Sequence, residues 1–362
     1  MDRIYNFSAG PAILPIPVLE EASHSILEIN HSGMSILEVS HRGKDYEAIH
    51  HDTEERILRT LGLSADTYQV LFLSGGASMQ FAMVPMNFLG KGRTADYVHT
   101  GEWSAKAIAE AKRIGEVHIA ASSEADRFSC IPESRTSTPG ASYLHITTNN
   151  TIEGTEWPDL PVTNDVPLIA DMSSDIFARE LDCSRCHLIY AGAQKNAGPA
   201  GVTLVIARKD YIQQANEGLP VILSYKTHSK SDSLYNTPPV YAIYVVGLVL
   251  KWIEVEGGLK AIEERNRKKA AIVYDALDAH PEMYESAVTK KSDRSLMNIT
   301  FRLRDAKLEG VFLEGARNKR MDGLKGHRSV GGFRASIYNA FPVKGCQELA
   351  DYLHSFTKQH NS

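Results

Sequence analysis

The sequence predicts an α/β protein: a large domain built on a mostly parallel sheet flanked by helices, followed by a smaller α+β domain. Three observations carry this. Seven short apolar runs between residues 70 and 206 alternate with stretches of helical spacing, the pattern of strands joined by helical crossovers. A chain of 362 residues suits two domains at roughly 100–200 residues each. Beyond about residue 265 the alternation gives way to a few strand-like runs and a final helix.

The elements follow in order. Asn6–Ala12 is loop chemistry, punctuated by Gly10-Pro11, Pro15 and Pro17. Val18, Leu19, Ala22, Ile26, Leu27 and Ile29 place an amphipathic helix over 17–30. A second helix over 45–61 ends at Gly62. Strands are expected at 70–73, 94–98, 116–120, 143–147, 167–170, 188–191 and 202–206, with helices at 77–89, 103–113 and 209–217 and a short one at 174–179. Residues 239–279 are dominated by helix. Strand-like runs at 296–302 and 334–338 precede a helix near 344–358. The expected divisions are an N-terminal segment 1–15 packing with the small domain, a large domain 16–264 and a small domain 265–362.

Composition narrows the function. Hydrophobic residues are 43% and charged residues 23%, ordinary for a globular chain. Lys plus Arg is 39 and Asp plus Glu is 44, a net charge of −5, which lacks the basic footprint of a nucleic-acid binder. No run approaches the ~18 apolar residues of a membrane span. Met1–Ser8 has no charged segment leading into an apolar one, so no signal peptide is expected. The expectation is a soluble, cytoplasmic protein whose four cysteines are reduced thiols.

Four patterns carry chemistry. In Leu188–Gly201 an apolar strand runs into Lys195 among glycines and alanines. Surface solvation is the ordinary fate of a lysine, but the collar of small residues leaves room for a bulky group beside the amine. A desolvated lysine can form a Schiff base. In Pro167–Ser174 a buried-type strand ends in Asp171; ligands gather at such strand ends in open parallel sheets. Capping a short helix is the plainer role for Asp171. A lysine and a pyridinium partner together form the protein's part of pyridoxal phosphate chemistry. In Val70–Met79 a strand passes through Gly75-Gly76 into a helix, a start that suits a phosphate. Finally, Ser40-His41-Arg42-Gly43, Gly326-His327-Arg328-Ser329 and Gly332-Phe333-Arg334-Ala335 place cations beside glycines, where guanidinium groups can meet carboxylate or phosphate.

Three other patterns are set aside. Cys183-Ser184-Arg185-Cys186-His187 spells a haem-attachment motif, but no export signal accompanies it. Gly90–Ala95 fits a dinucleotide fingerprint yet precedes a strand instead of following one. Asn149-Asn150-Thr151 fits a glycosylation acceptor that a cytosolic protein would not use.

Taken in order, Asn6-Phe7-Ser8-Ala9-Gly10-Pro11-Ala12, Ser40-His41-Arg42, Gly75–Phe81, Gly101-Glu102-Trp103-Ser104, Asn150-Thr151-Ile152-Glu153-Gly154, Ala170–Ser174, Ala193-Gln194-Lys195-Asn196, Tyr235–Pro239 and Gly326–Ala340 closely resemble, from end to end, the phosphoserine aminotransferase family, pyridoxal 5'-phosphate enzymes of fold-type I. The resemblance implies roles. Lys195 would bind the cofactor as a Schiff base and shuttle the substrate proton, and Asp171 would pair with the pyridinium nitrogen. Trp103 would stack on the ring, where the plain alternative is a core indole. Thr151 would meet the ring hydroxyl. Gly76, Ala77, Ser78 and Gln194 would hold the cofactor phosphate, joined by Asn236 and Thr237 from the other subunit of a homodimer. Some members carry Arg where Ser78 stands; here the hydroxyl and backbone amides would serve.

Arg334 would clamp the substrate α-carboxylate. His41 and Arg42, with His327 and Arg328 from the other subunit, would receive the distal phosphate or γ-carboxylate. The implied substrates are small anions: glutamate, phosphoserine, 3-phosphohydroxypyruvate and 2-oxoglutarate, in serine biosynthesis. Some members also use a phosphorylated hydroxythreonine in vitamin B6 synthesis. No metal is implied. Two other readings compete. One is a different fold-type-I enzyme, acting on an unphosphorylated amino acid or as a desulfurase. The other is a non-catalytic phosphometabolite or haem binder, which leaves Lys195 and Asp171 together unexplained.

Overall fold

The computed structural model describes residues 3–360; the expected segments 1–15 and 265–362 extend beyond these at residues 1–2 and 361–362. In chain order the elements are β1 (Tyr5–Asn6), α1 (Ile16–Leu27), α2 (Lys44–Thr60), β2 (Tyr68–Leu73), α3 (Gly76–Phe88), β3 (Thr94–His99), α4 (Glu102–Ala111), β4 (Glu116–Ser122), β5 (Leu144–Thr147), β6 (Leu168–Asp171), β7 (Cys186–Gly192), β8 (Thr203–Arg208), α5 (Lys209–Ile212), α6 (Tyr225–Lys230), α7 (Val240–Val255), α8 (Gly258–Asp278), β9 (Tyr284–Ser286), β10 (Asn298–Leu303), α9 (Glu309–Asn318), β11 (Met321–Asp322), β12 (Phe333–Ser336) and α10 (Val343–His360).

Seven strands form the central sheet in the order β2-β8-β7-β6-β5-β3-β4. The contacts from β4 to β7 are parallel, and β8 runs antiparallel to both β7 and β2. The sheet is mostly parallel, as the alternating pattern predicts. Its central strands are buried and mostly apolar because both faces are covered. Ala170, Ile189 and Leu204 pack with Val18, Tyr46, Ile57 and Val246 on one face. Their neighbours Ile169, Leu188, Tyr190 and Val205 pack with Phe81 and Ile108 on the other. The period of two along each strand thus sends alternate side chains to opposite helical layers.

A second, three-stranded antiparallel sheet, β12-β10-β9, has its own apolar cluster. Val273, Phe301, Phe312 and Leu353 lie in it together with Phe7 from the beginning of the chain. There β1 pairs in parallel with β11.

Two expected helices differ. The one at 209–217 stops at Ile212. The one at 174–179 does not form, and turns occupy the segment. Its side chains are committed elsewhere: Ser174 Oγ donates to the Asn149 carbonyl, Asp175 accepts from Thr148, and Arg179 pairs with Glu156. These buried partners set the backbone path in place of the i,i+4 ladder. Asp171 therefore caps no helix. Cys183 and Cys186 are buried free thiols, and burial pushes Cys183 up to about 12 and Cys186 well above its ordinary value.

Candidate active site

The carboxyl ends of β5, β6 and β7 converge, as expected for a ligand site in an open parallel sheet. β6 ends on Asp171, paired in register with Thr147 of β5 and Tyr190 of β7. Lys195 lies three residues beyond β7. Its Nζ is buried and donates to Thr151 Oγ1 at 2.7 Å. Burial pushes the amine from 10.5 down to about 8; Asp171 opposes the change and Arg334 adds to it. The Asp171 carboxyl is raised by burial, and hydrogen bonds from Ser173 work against the rise. Ser173 N and Oγ both donate to Asp171 Oδ1, at 3.0 and 2.6 Å, and the same hydroxyl accepts from Gly192 N. One serine thus ties the ends of β6 and β7 together.

Trp103 sits in the first turn of α4, its ring centroid 5.7 Å from Lys195 Nζ. Its Nε1 is buried without a hydrogen-bond partner among the described residues. The turn that places it is built by two acceptors. Ser104 Oγ takes the N–H of Thr100 and of Gly101, and Glu153 Oε1 takes the N–H of Glu102 at 2.8 Å. Glycine suits position 101 at φ +156°, because a Cβ there would collide with the Glu153 carboxylate, which would have to shift. Burial raises the Glu153 carboxyl to about 7, against the hydrogen bond from Glu102.

Gly75 is the N-cap of α3 at φ +90°, the left-handed region that glycine enters without penalty. A Cβ there would overlap Met79, whereas one at Gly76 would meet nothing within 4 Å. The start of α3, with Gly76, Ala77 and Ser78 at its beginning, therefore opens onto space. Gln194 carries the N-terminal loop: its carbonyl accepts from Ala12 N at 2.9 Å, and Gly10 packs near Lys195 Cγ.

Arg334 arrives from β12. Its Nη1 donates to the Thr151 carbonyl at 3.3 Å, while Nε is buried with no hydrogen-bond partner among the described residues. His327 shares a small cavity with Arg334 and Glu153. Its pKa is lowered, first by burial and then by Arg334 and Arg328.

One chain does not bring all the expected residues together. Lys195, Asp171, Thr151, Trp103 and Arg334 converge. Arg42 is exposed and pairs through Nε with His41 at 3.4 Å. Arg328, Asn236 and Thr237 are also exposed, and Asn236 lines a cavity with Ser74 and Gly75. Sequence reasoning missed Glu153, Ser173 and Asn196. Asn196 Oδ1 accepts from Asn339 N at 2.9 Å, joining the lysine loop to the segment after β12. Glu153 and Asn196 lie inside quoted motifs, yet their partners are remote in the chain.

A pyridoxal group fits this arrangement on the structure's own terms. A buried amine with a depressed pKa, a buried carboxyl on the adjacent strand end and a glycine-led helix start are all present. The orphaned Trp103 Nε1 and Arg334 Nε are polar atoms that a ligand could satisfy.

Fold and site define a class, the fold-type-I pyridoxal-phosphate-dependent aminotransferases. The family model described as aminotransferase class-V matches residues 4–349. A phosphoserine aminotransferase of Desulfosudis oleivorans is 54% identical over 98% of both chains. The solved phosphoserine aminotransferase of Bacillus circulans subsp. alkalophilus is 50% identical, with a TM-score of 0.97 over 99% of both chains. A pyridoxal-phosphate-bound phosphoserine aminotransferase from Trichomonas vaginalis is 36% identical, with a TM-score of 0.90 over 97% of this chain and 100% of that one. The chain belongs to the phosphoserine aminotransferase family of the class-V aminotransferases.

Proposed function

We propose that this enzyme reversibly moves an amino group between glutamate and 3-phosphohydroxypyruvate, giving O-phosphoserine and 2-oxoglutarate, as a cytoplasmic step of serine biosynthesis. The observation that carries the reading is the buried Lys195–Thr151–Asp171 group with Arg334 arriving beside it. Pyridoxal phosphate, when bound, withdraws the electron pair left at the substrate α-carbon. The residues of this chain do the rest.

Lys195, drawn toward the neutral amine by burial, takes and returns the α-proton at Nζ. Asp171 would pair with the ring nitrogen of the bound cofactor and favour its protonated form, and Thr151 would offer its hydroxyl to the ring hydroxyl. Trp103 would cover one face of the cofactor ring. Gly76, Ala77, Ser78 and Gln194 would hold the cofactor phosphate at the start of α3, with Asn236 and Thr237 of the partner subunit. Arg334 holds the substrate α-carboxylate. His41 and Arg42, with His327 and Arg328 of the partner subunit, receive the distal phosphate or carboxylate, so the active unit is a homodimer. The exposure of Arg42, Arg328, Asn236 and Thr237 in one chain is in keeping with sites shared across an interface. The same reading takes 16–264 as the cofactor-binding domain and 265–362 as the smaller one. The segment 1–15 joins the smaller domain, as the β1–β11 pairing and Phe7 support.

The test is complementation. Lys195→Ala and Arg328→Ala enzymes are each assayed with phosphoserine and 2-oxoglutarate, then dissociated, mixed and reassociated. Mixed dimers carry one site with both lesions and one with neither, so activity should return on mixing. No recovery in demonstrated mixed dimers would reject the shared site. Equal turnover of phosphoserine and plain serine would reject the substrate.

A further inference from the structure

A second group of reactive side chains gathers where α2 meets the turn after α6. His50 and Glu54 stand one turn apart on α2, and Asp232 comes from that turn. His50 Nε2 lies 3.6 Å from Glu54 Oε1 and 3.6 Å from Asp232 Oδ2. The three ligand atoms all lie within 4.8 Å of one another. The transamination described above uses none of them.

His50 itself points to a ligand. It is 1% exposed, and its Nε2 is buried with no hydrogen-bond partner among the described residues. Its Nδ1 lies 3.3 Å from the buried Tyr46 hydroxyl, and Phe72 stands edge-on to the ring at 5.0 Å. With Nδ1–H donating to Tyr46, the Nε2 lone pair faces the space between the two carboxylates. Ligating histidines are oriented in this way, by an acceptor on the other ring nitrogen. The far oxygen of Glu54 is held in turn by His51 Nδ1 at 3.3 Å. The two histidine–carboxylate spacings of 3.6 Å also fit, since ligand atoms bound at about 2.0–2.2 Å in a tetrahedral array sit roughly 3.3–3.6 Å apart.

We propose that His50, Glu54 and Asp232 form a site for a divalent ion of the zinc type, with its remaining position open to the adjoining cavity. That cavity is ≈ 680 Å³, and Glu54, Asp232, His51, Arg59 and Lys209 contribute to its lining. One nitrogen and two carboxylate oxygens form a donor set that zinc accepts when a fourth position stays open. The ion would clamp the turn onto α2. The competing occupant is a proton: burial lowers the His50 pKa, but Asp232 and Glu54 outweigh it and raise it to about 9.

Holoenzyme stripped with EDTA and dialysed into phosphate-free buffer is equilibrated with Zn²⁺ alone, and metal per chain is measured. One ion per chain at micromolar or lower free zinc, with a raised Tm, is the expected result. Asp232→Asn and Glu54→Gln should each weaken binding at least tenfold. His354→Gln, which breaks the separate His280–His354 contact of 2.8 Å, should bind as the parent does. No saturable binding would leave a proton as the occupant of the three groups, and binding unchanged in Asp232→Asn would place the ion elsewhere; either result would overturn the proposal. If His50→Gln fails to fold by circular dichroism, the partly exposed Asp232 variant decides.

Discussion

Replacing Lys195 by Met should stabilise the cofactor-free protein at neutral pH, and the gain should vanish as pH rises. Lys195 is pushed from 10.5 down to about 8, mainly by burial. At about 1.36 kcal/mol per pKa unit, keeping the amine charged in the folded apoprotein below pH 8 costs about 3 kcal/mol. The donor is charged below pH 8, so loss of the Lys195–Thr151 hydrogen bond offsets at least about 1.5 kcal/mol of that, and the net gain at pH 7 should be at most about 1.5 kcal/mol. The sign follows from proton counting. Between pH 8 and 10.5 the unfolded lysine holds a proton that the folded one has lost, so wild-type stability rises with pH across this window. Met has no such dependence. The gap should shrink by about 2 kcal/mol between pH 7 and pH 10. Lys269 is likewise lowered, to about 7, by burial, but it is present in both proteins and cancels in the difference. Urea denaturation of both apoproteins at pH 7, 8.5 and 10 measures the gap. A gap that stays constant or widens with pH would refute the reasoning.

Three further predictions rest on other parts of the site. Glu153→Gln should stabilise the protein above pH 7, where the raised carboxyl is a buried anion, by up to about 3 kcal/mol. The gain should fade as pH drops through 7 toward 4.5, because the folded acid takes its proton first; Tm against pH reads this. Gly101→Ala should lower stability by about 1–3 kcal/mol and weaken pyridoxal phosphate binding, because the methyl displaces the Glu153 carboxylate that holds the Trp103 turn. Thermal melts and cofactor titration check both effects. Arg334→Gln should reduce kcat/KM for glutamate and for phosphoserine alike by roughly a hundredfold, as expected when a charged hydrogen-bonding partner worth about 1.5–3 kcal/mol is lost; a loss for one substrate only would remove it from the shared α-carboxylate.

The legible part of the fold was the part encoded by local pattern. Runs such as Leu188–Ala191 are apolar at every position because both faces of the central sheet are covered, and composition records that directly. Lys195 and Asp171 were readable for a related reason, since each follows such a run, and strand ends are where an open parallel sheet exposes side chains. The segment 174–179 shows the limit. Its residues tolerate a helix, but Ser174, Asp175 and Arg179 find buried partners at Asn149, Thr148 and Glu156, and no local pattern announces partners that far away.

Glu153 makes the same point within the site. Its motif marks the segment, yet only folding brings its carboxylate under the first turn of α4 and leaves it desolvated. The depressed amine of Lys195 is likewise a product of enclosure. Residue type supplies the nitrogen, and the closing of Thr151, Asp171 and the Gly10 loop around it removes the water. Periodicity and residue type therefore set which strands, turns and functional groups this chain has. Their mutual distances and proton affinities come from packing between distant segments, because desolvation and charge–charge energies depend on separation in space and not along the chain.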